Sequence, residues 1–66
     1  MISYAPFWKT LAEKGISQYE LINTHKVDNH LLHSLRTNRN INMLTVERLC
    51  EILECTPNDI VEFKSK

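Results

Sequence analysis

Glycine is nearly absent from this chain of 66 residues, with Gly15 standing alone, and proline occurs only twice. That scarcity excludes linker-like or collagen-like sequence and leaves little room for long irregular loops. Cysteine is equally sparse. Cys50 and Cys55 stand five apart with no Cys-x-x-Cys and no second pair, which points to reduced thiols rather than a disulfide framework. No apolar run approaches the roughly 20 residues that a membrane span requires. Met1 to Phe7 also lacks the basic start and apolar stretch of a secretory leader, so a cytoplasmic protein is expected. Net charge is missing as well, eight basic side chains balancing eight acidic ones. A uniformly basic surface is thereby excluded.

What is present describes one small folded unit, residues 1–66. An apolar fraction of 42% and a charged fraction of 24% belong to an ordinary globular chain. At this length the core is marginal without good local structure or a partner subunit. The charges, although balanced, are unevenly placed. His25 to Asn40 carries Lys26, Arg36 and Arg39 against Asp28 alone, net +2, whereas Ile41 to Lys66 carries five acids against three bases, net −2. Positive charge is concentrated in the middle of the chain.

Hydrophobic spacing and capping residues predict an all-α chain of five short helices with short extended arms. Ile2-Ser3-Tyr4 alternates and tolerates an extended arm. Pro6 suits a first helical turn, Phe7, Trp8, Leu11 and Ala12 form one apolar stripe, and Gly15 supplies a left-handed stop. Ser17 then caps a second helix, with Glu20 placed to close a capping box and Ile16 to staple onto Leu21. Val27-Asp28 repeats that grammar eleven residues after the Ser17 cap. Two turns of helix and a turn of three or four residues imply a steep crossing, a helix-turn-helix unit over about residues 17–37. Asn42 caps a fourth helix whose stripe is Val46, Leu49, Cys50 and Leu53, with Glu47, Arg48, Glu51 and Glu54 outside. Thr56-Pro57 starts a brief fifth helix. Val61 to Lys64 alternates apolar and polar, so the tail can instead be extended and pair with Ile2 to Tyr4.

The third helix holds the most informative surface. At 100° per residue, Leu31, Leu32 and Leu35 share one side, while Asn29, His30, His33, Ser34 and Thr37 share the other, with Arg36 at its flank. Amide, imidazole, hydroxyl and guanidinium groups without an acid form a face equipped for base edges and phosphates. Two capped helices eleven residues apart, Ile16-Ser17-Gln18 with Glu20-Leu21, Val27 before a helix holding Leu32 and Leu35, then Leu49, Cys50, Leu53 and Pro57 to Ile60, resemble the phage repressor and Cro type, the Xre-like helix-turn-helix regulators. The resemblance spans nearly the whole chain and is strongest to the very small single-domain members.

That resemblance implies a DNA-binding transcriptional regulator with its third helix in the major groove. It implies Gln18 at the DNA backbone, Asn29, His30, His33 and Ser34 at base edges, and Thr37, Asn38, Arg39 and Asn40 on flanking phosphates, with Lys26 and Arg36 beside them. A homodimer on an inverted repeat of double-stranded DNA is the economical form, built from the last helix and tail through Ile60, Val61 and Phe63. Three features depart from the family pattern. Lys26 stands where the turn commonly carries glycine, Ile22 where a small residue is common, and histidine is unusually frequent on the recognition face. If His30 and His33 face phosphates, binding strengthens as pH falls through about 6.5.

Other chemistries find less support. His30 and His33 with Cys50 or Cys55 lack zinc-ligand spacing, so no metal or cofactor is expected. There is no nucleophile with a matching base and acid, no phosphate-cradling glycine loop and no small-molecule site, so no enzyme is expected. The competing function is a protein-interaction module, an adaptor or antitoxin-like partner, which the neutral net charge suits.

Overall fold

The computed structural model describes residues 1–64. Its elements run β1 (Ile2–Ser3), α1 (Ala5–Lys14), α2 (Gln18–Asn23), α3 (Asn29–Arg36), α4 (Met43–Leu53), a single 3-10 turn (Pro57–Asp59) and β2 (Glu62–Phe63). The expected five helices are four. The Thr56-Pro57 start is genuine, but Ile60 must reach the core and the chain then extends, so the fifth segment closes after one turn. There the Asp59 carboxylate accepts from both the Thr56 N–H and its hydroxyl, each at 3.3 Å. The arms pair, as the alternating tail allows, in a two-stranded antiparallel sheet in which Ile2 faces Phe63 and Ser3 faces Glu62, so the chain is not all-α.

α2, α3 and α4 each begin where a side chain satisfies a free amide, whereas α1, with Pro6 in its first turn, has no side-chain cap. Ser17 accepts from the Glu20 N–H at 3.1 Å, Asp28 from Leu31 at 2.8 Å, and Asn42 from Thr45 at 2.8 Å. The return bond of the box expected at Glu20 is not made. The exits share a second device. Gly15, Lys26, Asn38 and Glu54 all take left-handed backbone, with φ of 68°, 59°, 56° and 53°. After three of these the next amide reaches five residues back, Ile16 to Leu11, Arg39 to Ser34 and Cys55 to Cys50. With one glycine in the chain, three of the four stops strain an ordinary residue, at roughly a kcal/mol each.

The core is one cluster. Tyr4, Phe7 and Leu11 meet Leu21, Val27, Leu32, Leu35, Leu49, Leu53 and Ile60, with Trp8, Ile16, Ile22, Leu31 and Ile41 packed half-buried around them. Ala12, expected in the stripe of α1, is exposed, and Thr10 is buried in its place, its hydroxyl donating to the Asp59 carbonyl at 2.9 Å. Burying each large apolar side chain contributes about 1.5 to 3 kcal/mol. The pairings that matter most for function are those that fix α2 and α3, because these two helices carry the polar face.

Candidate nucleic-acid interface

α3 presents Asn29, His30 and His33 to solvent, and Arg36 and Thr37 follow on the same exposed surface. The Asp28 carboxylate at its start accepts the Leu31 amide through Oδ1 as the helix cap. Beyond α3 the chain turns back through Asn38, Arg39 and Asn40, all exposed. These three line a shallow cleft of about 510 Å³ with His30 and Ser34. A second cleft beside it, about 310 Å³, runs from His30 and Asn40 to Asn42, Thr45 and Arg48.

Ser34 is placed differently from expectation. It is 7% exposed. On the helical wheel it lies at the edge of the polar arc, and the Asn38-Arg39 return, tied to its carbonyl by the Arg39 amide at 2.9 Å, closes over that edge. The remaining side chains are committed to different degrees. Arg36 Nη2 donates to Gln18 Oε1 at 2.6 Å, joining the end of α3 to the start of α2. The Thr37 hydroxyl donates to the His33 carbonyl at 2.8 Å. Asn38 Oδ1 accepts from the Tyr4 amide at 3.0 Å. Among the described residues one ion pair forms, Lys64 with Glu62 at 3.8 Å, which leaves the Lys26 and Arg39 charges unpaired.

Two residues that local patterns did not reveal hold this surface in shape. Arg48, expected on the solvated side of α4, reaches back to the helix-turn-helix turn. Its Nη2 donates to the carbonyls of His25 at 2.8 Å and Lys26 at 3.3 Å. There Lys26 holds φ at 59° and the Val27 amide closes onto Leu21 at 2.9 Å. The turn therefore keeps its left-handed residue without glycine. Tyr4, expected in an extended arm, is buried at 2% exposure and donates its hydroxyl to the Arg39 carbonyl. Periodicity along one segment carries no signal for either contact, since both join residues more than twenty apart.

The cysteines lie away from this face. Both are free and half-buried. Burial raises the Cys50 thiol above its ordinary value despite a hydrogen bond with Cys55. Cys55 is pushed up to about 11, chiefly by burial and then by its neighbour Cys50. Neither is poised as a thiolate ligand or nucleophile. Among the described residues no group of three or more His, Cys, Asp or Glu side chains is gathered to hold a metal ion. No described helix is long and apolar enough to cross a membrane.

Two capped helices joined by a tight turn, the second presenting amide, imidazole and guanidinium groups, define a helix-turn-helix domain. The chain belongs to the Cro/C1-type HTH DNA-binding domain family, matched over residues 7–66. Among solved structures it is similar to the crystal structure of the transcriptional regulator VanUg, Form II. That likeness has 28% identity and a TM-score of 0.86, covering 98% of this chain and 87% of the other. No curated protein matches.

Proposed function

We propose that this domain is a sequence-specific transcriptional regulator that lays α3 in the major groove and binds double-stranded DNA as a homodimer on an inverted repeat. The observation that carries the reading is the exposed arc of Asn29, His30 and His33, flanked by Asn40 and by Arg39, which forms no ion pair among the described residues. Asn29 at the first position of α3 is placed for a paired contact to adenine, and His30 and His33 for base edges further along. Gln18, Lys26, Thr37, Asn38, Arg39 and Asn40 serve the phosphates, with Arg36 orienting Gln18. Ser34, nearly covered, supports the helix rather than reading a base.

The dimer surface we infer differs from the one that sequence suggests, the last helix and tail through Ile60, Val61 and Phe63. Ile60 is 0% exposed and unavailable. Met43, Leu44 and Phe63 are 72%, 76% and 81% exposed. Two adjoining clefts join them through Met43, Val46 and Pro57, and Val61 lines the second. This apolar surface starts directly after the Thr37 to Asn42 connection, so pairing two copies through it sets their phosphate-facing loops near a common axis. Half-sites about one DNA turn, ~34 Å, apart then suit the pair.

Substitution separates the roles. Asn29→Ala is expected to cost 5- to 150-fold in affinity for the preferred site, on the order of 1 to 3 kcal/mol, and to relax the preference at one base pair. Ser34→Ala should change affinity less than about threefold. Equal losses from both, with preference unchanged, would contradict this placement. The apolar surface also keeps a second reading in view, a protein partner seated on Met43, Leu44 and Phe63, for which binding would resist salt.

A further inference from the structure

We propose that Tyr4, outside the segment that matches the family, is a positioning residue for the DNA-backbone loop and acts through Arg39. The inference rests on the DNA-binding reading above. The loop between α3 and α4 begins with Thr37 and the left-handed Asn38 (φ 56°), followed by Arg39 and Asn40. Beyond the helix-closing bonds of Thr37 to His33 and the amide of Arg39 on Ser34, the long-range hydrogen bonds that Thr37 to Asn40 make among the described residues come from one residue. The Tyr4 amide donates to Asn38 Oδ1 at 3.0 Å, and the Tyr4 hydroxyl donates to the Arg39 carbonyl. These are contacts across 34 and 35 positions.

Tyr4 can hold the loop because it is itself fixed. Its ring is buried among the core residues. Just before it, β1 pairs with β2, and Met1 and Lys64 exchange backbone hydrogen bonds of 2.7 and 3.2 Å. Arg39 stands on the anchored peptide with its guanidinium free of ion pairs among the described residues. A loop already ordered loses less conformational freedom on meeting a phosphate, so the anchored peptide raises affinity without touching DNA. The N-terminal strand is thus part of the binding device, and the hydroxyl is its working end.

Tyr4→Phe removes that hydroxyl and keeps the ring. Compared with the parent protein on its selected duplex, the variant should retain helical content by circular dichroism and bind roughly three- to ten-fold more weakly, the loss of one hydrogen bond. The slope of log affinity against log salt should also fall towards that of Arg39→Ala, by about one. In an Arg39→Ala background, Tyr4→Phe should have no further effect. A role confined to folding would lower affinity equally in both backgrounds and leave the slope unchanged, which would overturn the proposal. On the parent protein, the Arg39 amide should be protected from hydrogen exchange to the level of α3, and exchange at the rate of an open loop would overturn it too. If the parent protein shows no salt-sensitive DNA binding at all, the DNA reading itself falls, and this inference with it. Tight parental binding with an unaffected Tyr4→Phe removes the inference alone.

Discussion

Arg36 and Arg39 are three residues apart, on either side of the end of α3, and do different work. Arg36 is committed to Gln18, a contact that ties two helices together, whereas Arg39 projects from a loop with its charge unpaired among the described residues. Charge counting treats them alike, and only the structure separates them. Ser34 is a similar case, polar by type but covered by the returning loop. Burial also gives the molecule an alkaline limit. It raises the Tyr4 phenol, outweighing a backbone hydrogen bond at Ile41, and it raises both thiols, Cys55 to about 11. A group whose folded pKa exceeds its unfolded value binds its proton more tightly in the folded state. Its stabilisation is complete below the unfolded pKa and is lost as pH climbs through the folded one. The melting temperature should therefore decline from about pH 8.5, where unfolded thiols begin to ionise, through pH 11. A melting temperature constant over that window would show that these groups remain hydrated in the fold.

The starts of the helices were largely legible in the sequence, and their ends were less so. Ser17, Asp28 and Asn42 announce helices because a cap needs only the next three residues. Stops demand left-handed backbone, which Gly15 advertises but Lys26, Asn38 and Glu54 do not. The cap and proline that predict a fifth helix also suit a 3-10 turn, and what shortens it is the tertiary pull of Ile60 into the core. Arg48 looked like a solvated charge, since nothing within its own helix points to the turn it holds. Its contact makes a specific prediction about the element. Arg48→Met should destabilise by about 1 kcal/mol, an exposed charge-assisted contact. Lys26→Gly should stabilise by up to about 1 kcal/mol by relieving the left-handed strain. In the double variant the loss from Arg48→Met should shrink, because a glycine turn needs less restraint. Urea titration of the four proteins measures this coupling, and strict additivity would mean that Arg48 does not support the turn.

At the scale of the molecule, neutrality conceals a division of labour. The segment carrying α3 is net positive, and the acids Glu47 and Glu51 line the exposed side of α4, with Glu54 at its end. Such a charge distribution favours one orientation on a polyanion while keeping non-specific affinity low. With so few cations, a single domain reads little and holds weakly, which is the physical case for a dimer. Met43→Glu or Phe63→Asp should leave the fold and half-site binding intact but abolish cooperative occupation of the full inverted repeat. Sedimentation with and without DNA would register the change, and full cooperativity in both variants would place the interface elsewhere. Phe63 is a candidate from sequence, whereas Met43 and Leu44 stand outside the stripe from Val46 to Leu53 and only their exposure brings them forward.

The most direct test of the central claim is selection of the purified protein against a randomised duplex pool at two salt concentrations, with the affinity of the enriched sequence then measured at each. The account predicts a short enriched motif in two inverted copies, bound with an affinity that falls steeply as salt rises. An unenriched pool with weak, salt-insensitive binding would contradict it, and would assign the α3 face to a protein partner instead.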